Sequence, residues 1–259
     1  MQASRDFQVF RLLLTRDLKE TYVNTALGFI WALVLPLAVL AIYAFVFTRV
    51  LQVRFPDAIG TGFVAYLAIA LWPWTAFADG LMRATNSLTD AAKLIGKVQI
   101  PLHVVVLSKL TAVFLLTMLG YVLVLVVLSL TGTPVSLAGI PVALFLLAML
   151  FLLTAALGLF FSISQVFFPD LRHALPALIM LGFFLTPILY SVDMVPDRFR
   201  TVYQFNPLAY LFERLREVLL TQQWQPVMDD AIVAAALLAV LGLALAYFQR
   251  LRPRVEEYL

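Results

Sequence analysis

The chain has 259 residues, of which 63% are hydrophobic and only 13% charged, with 13 Pro, 11 Gly and no Cys. Soluble domains carry about 45–50% apolar and about 25% charged residues. Both departures, with a mean hydropathy of +0.97, define a membrane protein and exclude a soluble enzyme, a nucleic-acid binder and a disordered chain. The missing Cys excludes disulfides, thiolate metal sites, Fe–S clusters and thiol nucleophiles, and a net charge of +3 is too small to mean a polyanion partner.

Residues 1–27 contain SRDFQVFRLLLTRDLKE, Ser4 to Glu20. A cleaved signal would place a longer apolar stretch there, followed by small residues, so none is expected. At helical spacing Phe7, Phe10, Leu14 and Leu18 share one face against Arg5, Gln8, Thr15, Arg16, Lys19 and Glu20, with Val9 and Leu12 misplaced on the polar side. That pattern predicts an amphipathic helix at the membrane interface.

Residues 28–250 hold six apolar runs with charge-free cores: Phe29 to Thr48, Phe63 to Ala78, Leu110 to Leu130, Pro141 to Ile163, Ala174 to Tyr190 and Ala231 to Phe248. Crossing about 30 Å of hydrocarbon takes about 20 helical residues. Continuous runs without period-two alternation select helices over barrel strands. The expected fold is an all-α integral membrane domain of six transmembrane helices, preceded by the interface helix and followed by a tail, residues 251–259.

Two connections stand out. Between spans two and three, a helical stretch from Ser87 to Lys97, ended by Pro101, offers Thr89, Asp90, Lys93 and Lys97 as a handle for a soluble partner; an ordinary solvated loop accounts for the same residues. After span five the chain is too apolar for a free loop. Asn206 can cap a helix opened by Pro207, on which Leu208, Leu211, Phe212, Leu215 and Leu219 oppose Glu213, Arg214, Arg216 and Glu217. This predicts an amphipathic helix over 206–220 at the outer surface, flat or re-entrant. Lys and Arg flanking the spans number eleven on the side of the N-terminus and six on the other, which places both termini in the cytoplasm.

Ion-coupled transporters and many membrane enzymes use ionisable residues inside the bilayer, and the six cores contain none. Lys109 lies near the inner end of span three, where it can snorkel to the interface. His103 and His173 are isolated, so neither a metal site nor an acid–base pair is suggested. No phosphate-gripping GxxxxGK loop exists; Gly96-Lys97 has Ala91 where the first Gly would stand. Nucleotide energy must come from another polypeptide.

Aromatic side chains are plentiful. Trp31, Tyr43, Trp72, Trp74 and Tyr190 fit a conduit for sugars, whose apolar C–H faces stack on such rings. They fit equally the aromatic belts at both interfaces of any membrane protein.

Three stretches taken together resemble the ABC-2 type permeases that export bacterial polysaccharides: Tyr22 to Phe47 with Leu27, Gly28, Trp31 and Pro36; Phe167 to Pro196 with its Thr-Pro-Ile-Leu-Tyr turn; and Asn206 to Leu220, which begins Asn-Pro. The likeness covers nearly the whole chain in order and spacing. One departure is Pro169, where the family usually has Arg before Asp170; Arg172 is the nearest substitute.

The resemblance implies a half-transporter in the bacterial inner membrane, without catalytic residues, metal or cofactor of its own. Two copies would surround a shared pathway, and two ATP-binding cassette subunits, carrying ATP and Mg, would dock on the cytoplasmic segment. The implied substrate is an undecaprenyl-pyrophosphate-linked polysaccharide, O-antigen first among them, with no nucleic acid involved. Arg5, Arg11, Arg16 and Lys19 would hold the lipid pyrophosphate through charge-assisted hydrogen bonds, although anionic membrane lipids attract such residues generally. The helix bearing Asn206, Pro207, Glu213 and Arg216 would gate the exit. An ABC-2 exporter of a drug, haem or lipid, a membrane enzyme, and a passive channel are the alternatives.

Overall fold

A computed structural model describes residues 2–23, 30–50, 52, 62–95, 100–221 and 223–255, and no strand occurs among them. The helices are α1 (Gln2–Val23), α2 (Ile30–Phe45), α3 (Gly62–Asp90), α4 (Ala92–Ile95), α5 (Leu102–Leu130), α6 (Ile140–Phe167), α7 (Leu171–Leu185), α8 (Asp197–Gln204), α9 (Pro207–Leu220) and α10 (Met228–Val255).

Four helices are long and apolar enough to cross a membrane: α3, α5, α10, and α6 together with the 3-10 turn before it. At about 1.5 Å per residue each is roughly 42 Å long. Helix α2 continues through a π-helical turn, Val46–Val50, and α7, at 15 residues, reaches only about 22 Å.

The core is built around α3, which packs mainly on α5 and α6. Small residues set how closely these helices approach. A Cβ on Gly158 of α6 would lie 2.7 Å from the Cβ of Ala84 on α3, so glycine is required there. Pro73 sits inside α3 and has no N–H, which deprives the Ile69 carbonyl of its helical donor. Tyr121 of α5 supplies the replacement, its hydroxyl donating to Ile69 O at 3.2 Å.

At the end of α3 near Asp90, Gln165 of α6 is buried and donates to Asn86 Oδ1 at 3.0 Å and Thr89 Oγ1 at 3.3 Å. Lys109 of α5 pairs with Asp90 at 3.5 Å. The snorkelling reach expected of Lys109 is thus used to tie two helices together.

At the opposite end, α8 and α9 form a helical hairpin whose tip rests on the end of α7. Asn206 caps α9 by accepting from the Leu208 N–H at 3.0 Å, and its amide donates to Leu185 O and Thr186 Oγ1, both at 3.2 Å. Helix α9 then runs alongside α3 rather than across its end: Phe212 lies against Trp74, centroids 6.5 Å apart, and Leu219 O accepts from the Ser136 N–H at 2.9 Å. A Cβ on Gly139 would run into the Val218 carbonyl, so the 136–139 turn closes onto α9 only with glycine there.

Candidate functional site

Helix α1 packs on α5 with a face turned partly away from the one the apolar spacing suggests. Leu13 is buried, Asp6, Val9, Phe10, Leu14, Asp17 and Leu18 are half-buried, and Phe7 and Leu12 stand 66% and 67% exposed. Contact with α5 selects the sector around Leu13, and the expected stripe of Phe7, Phe10, Leu14 and Leu18 is rotated partly outward. Arg5, Arg11, Arg16 and Lys19 are all exposed, within one sector of about 140° at the helical turn of about 100° per residue. Arg11, Arg16 and Lys19, with Gln8, Leu12 and Thr15, border a shallow groove of about 540 Å³.

The expected cytoplasmic helix Ser87 to Lys97 is not a separate element. Helix α3 continues unbroken to Asp90, and only α4 follows. Ser87 is buried, Thr89 accepts from Gln165 and Asp90 meets Lys109, so these three belong to packing between helices. Lys93 is exposed, and Lys97 lies outside the described residues.

Among the aromatic candidates, Trp72 is 0% exposed and Trp74 is buried against Phe77, Phe183 and Phe212. Both are packed within the chain and present no face to a pathway between copies, which corrects that expectation. Tyr43 is half-buried beside Phe183, centroids 6.3 Å apart. Tyr190 donates to Phe184 O at 2.6 Å and shares a 2.8 Å hydrogen bond with Tyr203. The side chain of Trp31 and residues 24–29, with Leu27 and Gly28, lie outside what the structure describes.

Helix α9 also departs from the amphipathic reading. Leu208, Leu211, Phe212, Leu215 and Leu219 are buried as the pattern requires, yet Arg214 and Arg216 on the opposite side are buried as well. Arg216, 1% exposed, donates to Tyr66 O (3.0 Å), Pro187 O (2.7 Å), Ile188 O (2.9 Å) and Glu213 Oε1 (2.7 Å). Its guanidinium lies 3.5 Å from the centroid of the Tyr66 ring, a desolvated cation–π contact. The Tyr66 hydroxyl in turn donates to Glu213 Oε1 at 3.0 Å. Burial holds the Glu213 carboxyl above the ordinary carboxylate value, against the opposing pull of Arg216.

A second node ties α9 to the start of α10. Asp230 accepts from Tyr210 Oη at 2.6 Å, from Arg214 Nε at 3.4 Å and from the Val227 N–H at 3.1 Å. Arg214 also donates to Glu217 and to the carbonyls of Gln223 and Gln225. Burial, and then the bond to Asp230, push the Tyr210 phenol above its usual range, so it remains a donor. Helix α9 is therefore clamped on two opposite sides by buried arginines two residues apart. Glu213 and Arg216 belong to one clamp, and Asn206 and Pro207 form the hairpin tip.

Asp79 was absent from the sequence candidates. The span containing it was expected to end at Ala78, but α3 carries on, leaving Asp79 and Arg83 exposed partway along it. The signal was available in the spacing of Thr75, Asp79, Arg83 and Asn86, a helical repeat with no proline to stop it.

The described residues form an all-helical chain with four helices long and apolar enough to cross a membrane, and the comparisons define its class. Residues 8–220 match the ABC-2 type transporter family, and the chain belongs to it. The chain is 30% identical to an O-antigen export system permease protein RfbA of Klebsiella pneumoniae over 98% of its own length and 95% of the relative's. An RfbA of Myxococcus xanthus is 26% identical over 95% and 93%. The polysialic acid transport protein KpsM of Escherichia coli is 21% identical over 80% of each chain.

Proposed function

We propose that this chain is the membrane subunit of an ATP-driven exporter that carries undecaprenyl-pyrophosphate-linked polysaccharide, O-antigen first among candidates, across the bacterial inner membrane. The observation that carries the reading is the near full-length match to permeases named for O-antigen export. Two copies form the pathway, and two separate ATPase subunits supply ATP and Mg. The chain crosses the membrane six times, α2 and α7 adding to the four long helices, with both termini cytoplasmic. Helix α7 is short for the bilayer and has Leu175 as its only buried residue, which leaves its remaining faces for lipid or a second subunit.

Function follows from position. The cationic sector of α1 sits where a lipid pyrophosphate arrives, and Arg5, Arg11, Arg16 and Lys19 draw it in by charge-assisted hydrogen bonds. Lys93, with the segment through Lys97, meets the ATPase. The α8–α9 hairpin dips back into the outer half of the membrane and shapes the exit, its position held by the Arg214 and Arg216 clamps. Deletion of the gene tests the whole reading: lipid-linked polymer is expected to accumulate on the cytoplasmic side and disappear from the surface, and unchanged surface polymer overturns it.

A further inference from the structure

Helix α3 has 29 residues, so at about 1.5 Å per residue it exceeds the roughly 30 Å hydrocarbon layer by about 13 Å, or about nine residues. If all of that excess lies beyond the Asp90 end, Asp79 is still about 4 Å inside the layer; if all lies at the Gly62 end, it is about 16 Å inside. Asp79 therefore sits about 4 to 16 Å inside the layer, counted from the Asp90 side, wherever α3 spans its full thickness. It is nevertheless exposed on the surface of the chain, as is Arg83 one turn further on, and Thr75 and Asn86 are half-exposed on the same stripe.

An ionised carboxylate does not face lipid tails without a large desolvation cost; such residues face protein or water-filled space and mark transport routes. We propose that the stripe Thr75, Asp79, Arg83 and Asn86 is the wet wall of the pathway and receives the hydroxyl groups of the passing glycan, an inference that rests on the export function proposed above. The stripe runs about 16 Å along α3. It carries a carboxylate acceptor and a guanidinium donor whose formal charges cancel, the Thr75 hydroxyl, which donates to Trp72 O at 2.7 Å and is left to accept, and the Asn86 amide, which bonds Met82 O and Gln165 and closes the stripe at its far end. That chemistry suits a hydroxyl-rich neutral chain better than the lipid pyrophosphate, which Asp79 repels. Trp72 and Trp74, two of the five aromatic candidates, are buried within the chain and add nothing to that wall.

The natural chain has no Cys, so single-cysteine variants test the proposal directly. Asp79→Cys and, as a gentler replacement, Thr75→Cys are compared with Leu115→Cys. Leu115 is 51% exposed on the apolar surface of α5 and adjoins Phe114, which a Cβ on Gly80 would approach to 3.1 Å, so it stands at the same height. Inverted membrane vesicles containing the ATPase partner are treated with a charged, impermeant maleimide. The expected result is labelling at positions 75 and 79 about tenfold faster than at 115, with the rate reduced several-fold in vesicles from cells that make the polymer compared with cells that do not. Labelling at 75 and 79 as slow as at 115, or spontaneous Asp79→Cys disulfides between copies, overturns the wet wall. Fast labelling that polymer leaves unchanged overturns the glycan as occupant. Failure of the export reading is seen separately, as surface polymer that survives gene deletion.

Discussion

Removing the Tyr121 hydroxyl, and nothing else, isolates one consequence of Pro73. The proline leaves Ile69 O without its donor four residues on, and Tyr121 Oη fills that place at 3.2 Å in a site where both residues are buried. In Tyr121→Phe the carbonyl stays buried and unpaired. Stranding a buried acceptor costs about 1–3 kcal/mol, whereas single side-chain hydrogen bonds inside membrane bundles average about 0.6 and reach about 1.7 kcal/mol. The overlap gives an expected loss of about 1–2 kcal/mol, measured by denaturant unfolding of the purified chain in detergent. The decisive comparison uses Pro73→Ala, which restores an N–H for Ile69 O. In that background Tyr121→Phe is expected to cost close to nothing. An equal cost in both backgrounds refutes the reasoning, because the hydroxyl would then be acting on something other than the carbonyl that proline orphaned.

Arg216→Met breaks a buried ion pair and strands the Pro187 and Ile188 carbonyls, so it should cost about 3–5 kcal/mol and lower export; adding Glu213→Gln should recover part of the stability loss, read by thermal unfolding. Arg216→Lys should not rescue, since an ammonium cannot match the planar fork that serves four acceptors. Gly158→Val should lose about 1–3 kcal/mol by overpacking against Ala84, and Ala84→Gly in the same chain should restore part of it in the same assay. The double reversal Arg16→Glu with Lys19→Glu should leave membrane insertion intact and abolish export, scored as surface polymer against protein level; full export removes that face of α1 from the mechanism.

The parts of the fold that depend on local order were legible in the sequence. Apolar run length located α5, α6 and α10, and the Asn206-Pro207 pair located the start of α9 with its cap, because capping and periodicity act within a few residues. What was misread depends on partners far away in the chain. Glu213, Arg214, Arg216 and Glu217 read as a water-facing side because charged residues on a helix usually are; Arg216 finds its three carbonyl acceptors 28 to 150 residues away, and Arg214 finds Asp230 beyond the next turn. In α1 the buried face turned towards Leu13 because packing on α5, rather than the helix's own pattern, decides which sector is covered.

Asp79 makes the same point in the opposite direction. A charge after an apolar run reads as the end of the crossing, yet a helix ends where its hydrogen bonding or backbone is interrupted, and a carboxylate interrupts neither. Nothing between Ala78 and Asp90 stops α3, so the charge marks a change in what the helix faces rather than where it ends. The sparse charge of the chain therefore divides into two kinds. Arg214, Arg216, Glu213 and Asp230 are neutralised inside the fold and hold the outer hairpin in place. Asp79 and Arg83 stand one turn apart on the surface of a helix that is otherwise largely buried, and the glycan wall proposed above is built on that exposed stripe rather than on the buried charges.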